Sequence, residues 1–202
     1  MNSMGGMKIH VIGNKGVVGG STYELFRRLG YNVSGSDKDE TVLPADVYFI
    51  CVPEEIVDDC VTSLKYGVDE GVLTFPKIVV IRSTVVPGTC KRLGEETGFH
   101  ICHNPEFLRE STALSDEFNP DRIIIGECCR EHGDVVESLY APLRVPIFRT
   151  EHTISELTKL ACNCYLATVI SYWNTIEEIS RRLGVAGHQV GMLAATDPRI
   201  SP

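Results

Sequence analysis

The sequence predicts a doubly wound α/β domain with a parallel sheet over about residues 7–150, followed by a long α-helix. Three observations predict it. Short, continuously apolar runs alternate with helical stretches, the pattern of parallel strands buried on both faces. The first run closes on a glycine-rich turn, where such folds meet a dinucleotide. After Pro146 the apolar spacing becomes three and four residues and holds from Ile154 to about Leu183.

In chain order, Lys8–Ile12 reads as a first strand ending at Gly13, and a helix follows from about Val17 to Leu29. Tyr31–Asp37 reads as a second strand that ends on an acid, and Val47–Val52 as a third, closed by Pro53. Lys77–Ile81 is a fourth, and Arg122–Ile125 a fifth or sixth. Eight residues separate Asp37 from Asp46, whereas a parallel crossover normally takes about a dozen or more. An extended link spans about 25 Å, enough to recross the sheet without a helix. The sheet is therefore read as shortened after its second strand. The final helix has Thr153 or Ser155 as a start cap and Gly184 as its stop. At about 45 Å it is longer than one small domain requires, and such a helix joins domains or packs on a partner.

Hydrophobic residues make up 43% and charged residues 23% of the 202, the balance of a globular protein large enough to bury a core. No run approaches the roughly 18 apolar residues of a membrane helix, so no membrane partner is expected. A net charge of −8 argues against a nucleic-acid surface. MNSMGGMKIHVIG lacks the pattern of a secretory signal. The eight cysteines are read as reduced thiols of a cytoplasmic protein. Cys128-Cys129 and Cys162-x-Cys164 lack the paired spacing of a zinc site, so no metal is expected.

Four segments carry chemistry. The turn Gly13-Asn14-Lys15-Gly16-Val17-Val18-Gly19 offers close backbone approach and open helix N–H groups to a pyrophosphate. Its first gap holds two residues rather than the usual one. Asp37, 24 residues after Gly13, stands where an acid bonds a ribose 2′-hydroxyl and repels a 2′-phosphate, which favours NAD over NADP. Ser83-Thr84-Val85-Val86-Pro87-Gly88-Thr89 lies at the carboxyl edge of the sheet, and equally has the make-up of a capped helix start. His103–Glu110 and Asn119–Arg122 read as polar turns around a strand, with Glu106 and Glu110 four apart. Glu156, Lys159 and Asn163 lie on the long helix, where Lys159 and Asn163 share a face; a lysine there equally lays its stem along an apolar surface.

Together these segments resemble the UDP-glucose/GDP-mannose dehydrogenase family. STVVPGT stands at 83–89, NPEFLRE at 104–110, NPDRIIIG at 119–126, ELTKLACNCYLATVISYWN at 156–174 and DPRI at 197–200. The resemblance implies a Rossmann-like NAD-binding domain at 1–150 and the start of a central helical region at 151–202, whose helix makes a homodimer. It implies NAD-dependent oxidation of a nucleotide sugar, UDP-glucose or similar, from the C6 alcohol toward the uronate. NAD would lie against Gly13, Gly16, Val17, Val18, Gly19, Asp37, Val52, Pro53, Ser83, Thr84 and Glu110. The sugar would lie against Glu106, Phe107, Leu108, Glu110, Lys159 and Asn163. Thr84, Glu106, Lys159 and Asn163 would carry catalysis, with Glu106 in acid–base work and the Lys159/Asn163 pair stabilising charge on the sugar oxygen.

Besides the short link after Asp37, where the family has a long excursion with helices and a strand, the sequence departs from the family pattern in three ways. The family's nucleophilic cysteine, in a G-x-C-x-P-K-D segment after the D-x-R-I segment, has no counterpart among the 202 residues. Glu54-Glu55 replaces Thr-Pro, and Ser111 replaces Gly. The expected activity of these residues alone is therefore at most the first hydride transfer, the alternative being an NAD-binding, oligomerising module without oxidation chemistry.

Overall fold

The computed structural model describes residues 6–200. It divides into two compact units after Lys159. The elements are β1 (Lys8–Ile12), α1 (Val17–Arg28), β2 (Asn32–Ser36), β3 (Val47–Ile50), α2 (Val57–Asp69), β4 (Ile78–Ile81), α3 (Thr89–Thr97), β5 (Ile101–His103), α4 (Ala113–Phe118), β6 (Ile123–Glu127), α5 (Arg130–Tyr140), β7 (Ile147–Glu151), α6 (His152–Leu183) and α7 (Gly187–Ala194).

In the first unit the strands form one sheet in the order β2-β1-β3-β4-β5-β6-β7. β1 pairs in parallel with β2 on one side and β3 on the other, so the carboxyl ends of β1 and β3 border a topological switch point. The link from β2 to β3 recrosses β1 without a helix, as its length predicts. Two features depart from the sequence reading. β5 and β7 are strands that no apolar run announced, because Ile-Cys-His is too short and Ile-Phe-Arg-Thr-Glu is a half-exposed edge. The sheet is also not wholly parallel: β6 runs antiparallel to β5 through His103 and Gly126, and β7 follows β6 in parallel.

The apolar strands bury alternate residues on opposite faces. Val47, Phe49, Ile78 and Val80 pack with Leu25 and Phe26 of α1 and Val136 and Tyr140 of α5. Tyr48, Ile50, Val79 and Ile81 pack with Val57, Val61 and Leu64 of α2 and Leu93 of α3. Burial on both faces is why these strands read as continuous apolar runs.

α6 begins at His152, one residue before the expected caps. Neither Thr153 nor Ser155 caps it; the Ser155 side chain is buried and bonds His103 instead. The second unit holds α6 beyond Lys159 together with α7. Gly184, at φ +70°, turns the chain between them as the stop signal predicts. Tyr165, Leu166, Ile170, Leu183, Met192 and Leu193 of this unit are exposed. No helix among the described residues is long and apolar enough to cross a membrane.

Candidate active site

The turn after β1 is built from glycines for steric reasons. Gly13 sits at φ +86°, and a Cβ there would stand 2.3 Å from the carbonyl oxygen of Cys51. A Cβ on Gly19 would stand 2.1 Å from the Gly13 carbonyl oxygen, so α1 is pressed against the turn. Gly16 is the N-cap of α1 and supplies no side-chain bond. The first-turn N–H groups, at Val17 and Val18, are thus left for a ligand.

Parallel pairing of β1 with β2 brings Asp37 to this turn. Gly13 N–H donates to the Ser36 carbonyl at 2.8 Å. Asp37 Oδ2 accepts the Lys15 N–H at 3.1 Å, and Oδ1 accepts the Lys38 N–H at 2.7 Å. Glu40 fixes the same corner, accepting from the Asp37 N–H at 2.8 Å and from Lys15 Nζ at 2.5 Å. A cavity of about 520 Å³ opens beside Asp37, walled by Val42, Val52, Ile56, Leu64 and Leu73. Its apolar slot with a carboxylate at the mouth suits a flat ring carrying a diol. The short β2–β3 link supplies Val42 to that wall.

A second cavity of about 360 Å³ shares Gly16, Cys51, Val52 and Pro53 with the first and extends to Ser83, Thr84 and Glu106. Ser83 Oγ accepts the Val52 N–H at 3.1 Å and donates to the Val52 carbonyl at 2.6 Å, tying the end of β4 to the end of β3. A helix does start at the end of this segment, without a hydroxyl cap. α3 begins at Thr89 after left-handed Gly88, and its first N–H groups are capped from a distance by Glu156. That buried carboxylate accepts from Gly88 N–H at 2.6 Å and from Cys90 N–H at 2.8 Å. Cys51 lines both cavities, and burial pushes its thiol up to about 12, so it stays protonated at neutral pH.

A third, more polar cavity of about 370 Å³ shares Arg82 and Glu106 with the second and is lined by Phe107, Leu108, Arg109 and Asn119–Arg122. Lys159 Nζ donates to Glu106 Oε1 at 2.8 Å, and Glu106 Oε2 accepts the Leu108 N–H at 2.6 Å. Lys159 also lies 5.2 Å from the centre of the Phe107 ring, whose face carries Arg122 at 4.4 Å. The start of α6 is pinned so that this meeting occurs. His152 bonds the Ile101 carbonyl at 2.8 Å, Ser155 bonds His103 at 2.8 Å, and Glu156 holds α3. A Cβ on Gly126 would stand 2.7 Å from the Ser155 Cβ, so a larger residue there would push α6 away.

The structure thus brings Glu106, Phe107, Leu108 and Lys159 together and sets Thr84 on the adjoining wall. Glu110 goes elsewhere. It sits in a short 3-10 turn and lines a separate cavity with Val17, Gly20 and Glu24 of α1. Asn163 follows Lys159 by one turn of α6 and belongs to the second unit.

Sequence reasoning missed the floor of the site. Arg82 is buried and donates to Asn104 Oδ1 and Glu117 Oε2, both at 2.9 Å, and to the Tyr140 hydroxyl. Burial pushes the Glu117 carboxyl above its usual range, against the pull of Arg82. Arg82 Nε is buried without a partner. The one signal available was an arginine closing an otherwise apolar strand, Ile78-Val79-Val80-Ile81-Arg82, since a charge there must be paired.

The profile described as UDP-glucose/GDP-mannose dehydrogenase family, NAD binding domain, matches residues 36–144, and that of the family's central domain matches 153–202. GDP-mannose 6-dehydrogenase of Pseudomonas putida is 33% identical over 176 residues, 77% of this chain and 40% of the relative. The UDP-glucose 6-dehydrogenase YwqF of Bacillus subtilis is 36% identical over 131 residues, 61% of this chain and 30% of the relative. The chain spans less than half the length of these curated relatives. Among solved structures, a UDP-glucose dehydrogenase from Pyrobaculum islandicum superposes with a TM-score of 0.86 at 25% identity, over 100% of this chain and 59% of that one. A GDP-mannose dehydrogenase ternary complex from Pseudomonas aeruginosa gives 0.82 at 25% identity, over 96% and 58%.

Proposed function

We propose that this chain, which belongs to the UDP-glucose/GDP-mannose dehydrogenase family, binds NAD along the two adjoining cavities that run from Asp37 to Glu106. We further propose that it carries the hydride-transfer half of a nucleotide-sugar 6-dehydrogenase site. The observation that carries this reading is the 2.8 Å bond from Lys159 Nζ to Glu106, whose carboxylate lies in the wall of the cavity that adjoins the glycine turn.

The residues present fit the cofactor. Gly13 and Gly19 leave a cradle that a Cβ would fill, and α1 offers uncapped N–H groups at Val17 and Val18 for a pyrophosphate. Asp37 would accept from a ribose 2′-hydroxyl and repel a 2′-phosphate. Val52, Pro53, Ser83 and Thr84 would face the reactive end of the cofactor. NAD supplies the hydride acceptor.

The chain's own groups do the rest. Lys159 Nζ, placed by its ion pair with Glu106 and its contact with the Phe107 ring, would hold the sugar oxygen as it loses its proton. Glu106 Oε1 would take that proton when the oxygen displaces it from Lys159. Burial holds the Cys51 thiol, which lines the cofactor cavities, protonated at neutral pH, so it does not serve there as a nucleophile.

The test supplies NAD with UDP-glucose or GDP-mannose to the chain, follows NADH and identifies the product. One slow NADH per sugar, lost in Lys159→Ala, is the expected outcome. Binding energy from a remote nucleotide normally positions the reacting carbon, so the rate should be low. Tight NADH binding with no turnover would point instead to a cofactor-binding module. Two NADH per sugar with a uronate product would contradict the single oxidation.

A further inference from the structure

The candidate active site uses the carboxyl ends of β4 and β5. The opposite end of β5 carries a second cluster of chemically active side chains. His100 immediately precedes β5, Cys128 and Cys129 immediately follow β6, and His132 lies in the first turn of α5. Because β6 runs antiparallel to β5 through His103 and Gly126, continuing that register outward sets His100 opposite Cys129. One side-chain ligand atom from each of His100, Cys128 and His132 lies within 4.8 Å of the other two. The two imidazole rings are stacked, 3.8 Å between centroids and 18° between planes. Cys129 Sγ lies 2.9 Å from His132 Nδ1.

We propose that His100, Cys128 and His132 form a binding site for a divalent transition metal of the zinc type. Two imidazole nitrogens and one thiolate are borderline-soft donors, which suit zinc or cobalt and do not suit magnesium or calcium. Bond lengths of about 2.0 Å to nitrogen and 2.3 Å to sulfur place tetrahedral ligand atoms about 3.5 Å apart. The cluster therefore needs a closure of about 1 Å and a turn of the exposed His100 ring out of its stack on His132, so that both ring nitrogens face the ion; both are side-chain torsions of His100 and Cys128. The fourth position opens to solvent. Cys129 is the positioning residue: its contact with His132 Nδ1 orients the ring and leaves Nε2 for the ion. An ion here would clip the start of β5 to the β6–α5 turn, two segments that meet only through tertiary structure. It would stabilise the first unit by mass action.

The experiment titrates the whole chain with cobalt(II), anaerobically and with a phosphine reductant, and then adds zinc. One cobalt per chain is expected, with a thiolate-to-cobalt charge-transfer band that zinc removes. Cys128→Ser should abolish the band, His132→Ala should weaken cobalt binding at least tenfold, and Cys129→Ser should keep the band. All three residues lie at the edge away from the cofactor cavities, so circular dichroism and NADH binding of the variants should match the parent and report intact folding. Failure of the parent chain to take up cobalt stoichiometrically would overturn the proposal. So would a band that survives Cys128→Ser, or equal uptake by a chain lacking all three ligands.

Discussion

Lys159 Nζ donates to Glu106 Oε1 at 2.8 Å across 53 residues of sequence, joining the start of α6 to the loop after β5. The pair is nearly buried, with side-chain exposures of 5% and 16%, so neither charge is screened as a surface pair would be. If Lys159 holds the reacting oxygen, Lys159→Ala should lower NADH production by about 100- to 1,000-fold, the usual cost of one such donor. Glu106→Gln should keep the fold and bind NADH with unchanged affinity while losing turnover. Unchanged turnover in both variants would separate this pair from the chemistry.

Beneath it, Arg82 and Glu117 form an ion pair in which each side chain is 4% exposed. Removing one member leaves the other charged and buried. Glu117→Ala should therefore cost about 3–5 kcal/mol of stability, read from urea unfolding curves. A loss below about 1 kcal/mol would show that the Asn104 and Tyr140 contacts suffice to hold Arg82.

Two buried histidines make stability depend on pH. Burial lowers the imidazole of His103 to about 4, with the nearby Glu156 pulling the other way, and burial lowers His10 to about 4 as well. In the unfolded chain both titrate near 6.5. Between those values the unfolded chain binds more protons than the folded one, so stability rises with pH. It is complete above pH 6.5 and is lost as the pH falls toward 4. The urea midpoint should be lower at pH 5 than at pH 7, and the gap should narrow in His10→Gln/His103→Gln. An identical gap in that variant would contradict the assignment.

Tyr165, Leu166, Ile170 and Leu183 of the second unit are exposed, and clustered exposed apolar side chains mark interfaces. We expect a homodimer through about residues 151–183. Light scattering at tens of micromolar should give twice the chain mass, and a single-chain mass would contradict it.

The sequence showed those parts of the fold whose physical signal is local. β3 and β4 are legible because burial on both faces leaves unbroken apolar runs, and Gly13 because no side chain fits beside Cys51. β5 and β7 are not, being short or half exposed. Lys159 and Glu106 were named in separate motifs, but their pairing depends on how Ser155 and Glu156 seat α6. Long-range seating leaves no periodicity. The same holds for the cap of α3, which comes from Glu156, 66 residues from Cys90 in sequence, and for the pairing of His100 with Cys128 and His132, which lie on separate segments.

The central claim is that NAD occupies the trough from Asp37 to Glu106, and NADH titration tests it most directly. NADH should quench or sensitise with one saturable site per chain, and NADPH should bind at least tenfold more weakly. Asp37→Ala should weaken NADH about 10- to 100-fold, as expected for the loss of a charged hydrogen-bond partner, and should bring the two cofactors together. Equal affinity of the parent chain for NADH and NADPH, or no saturable binding of either, would contradict the account.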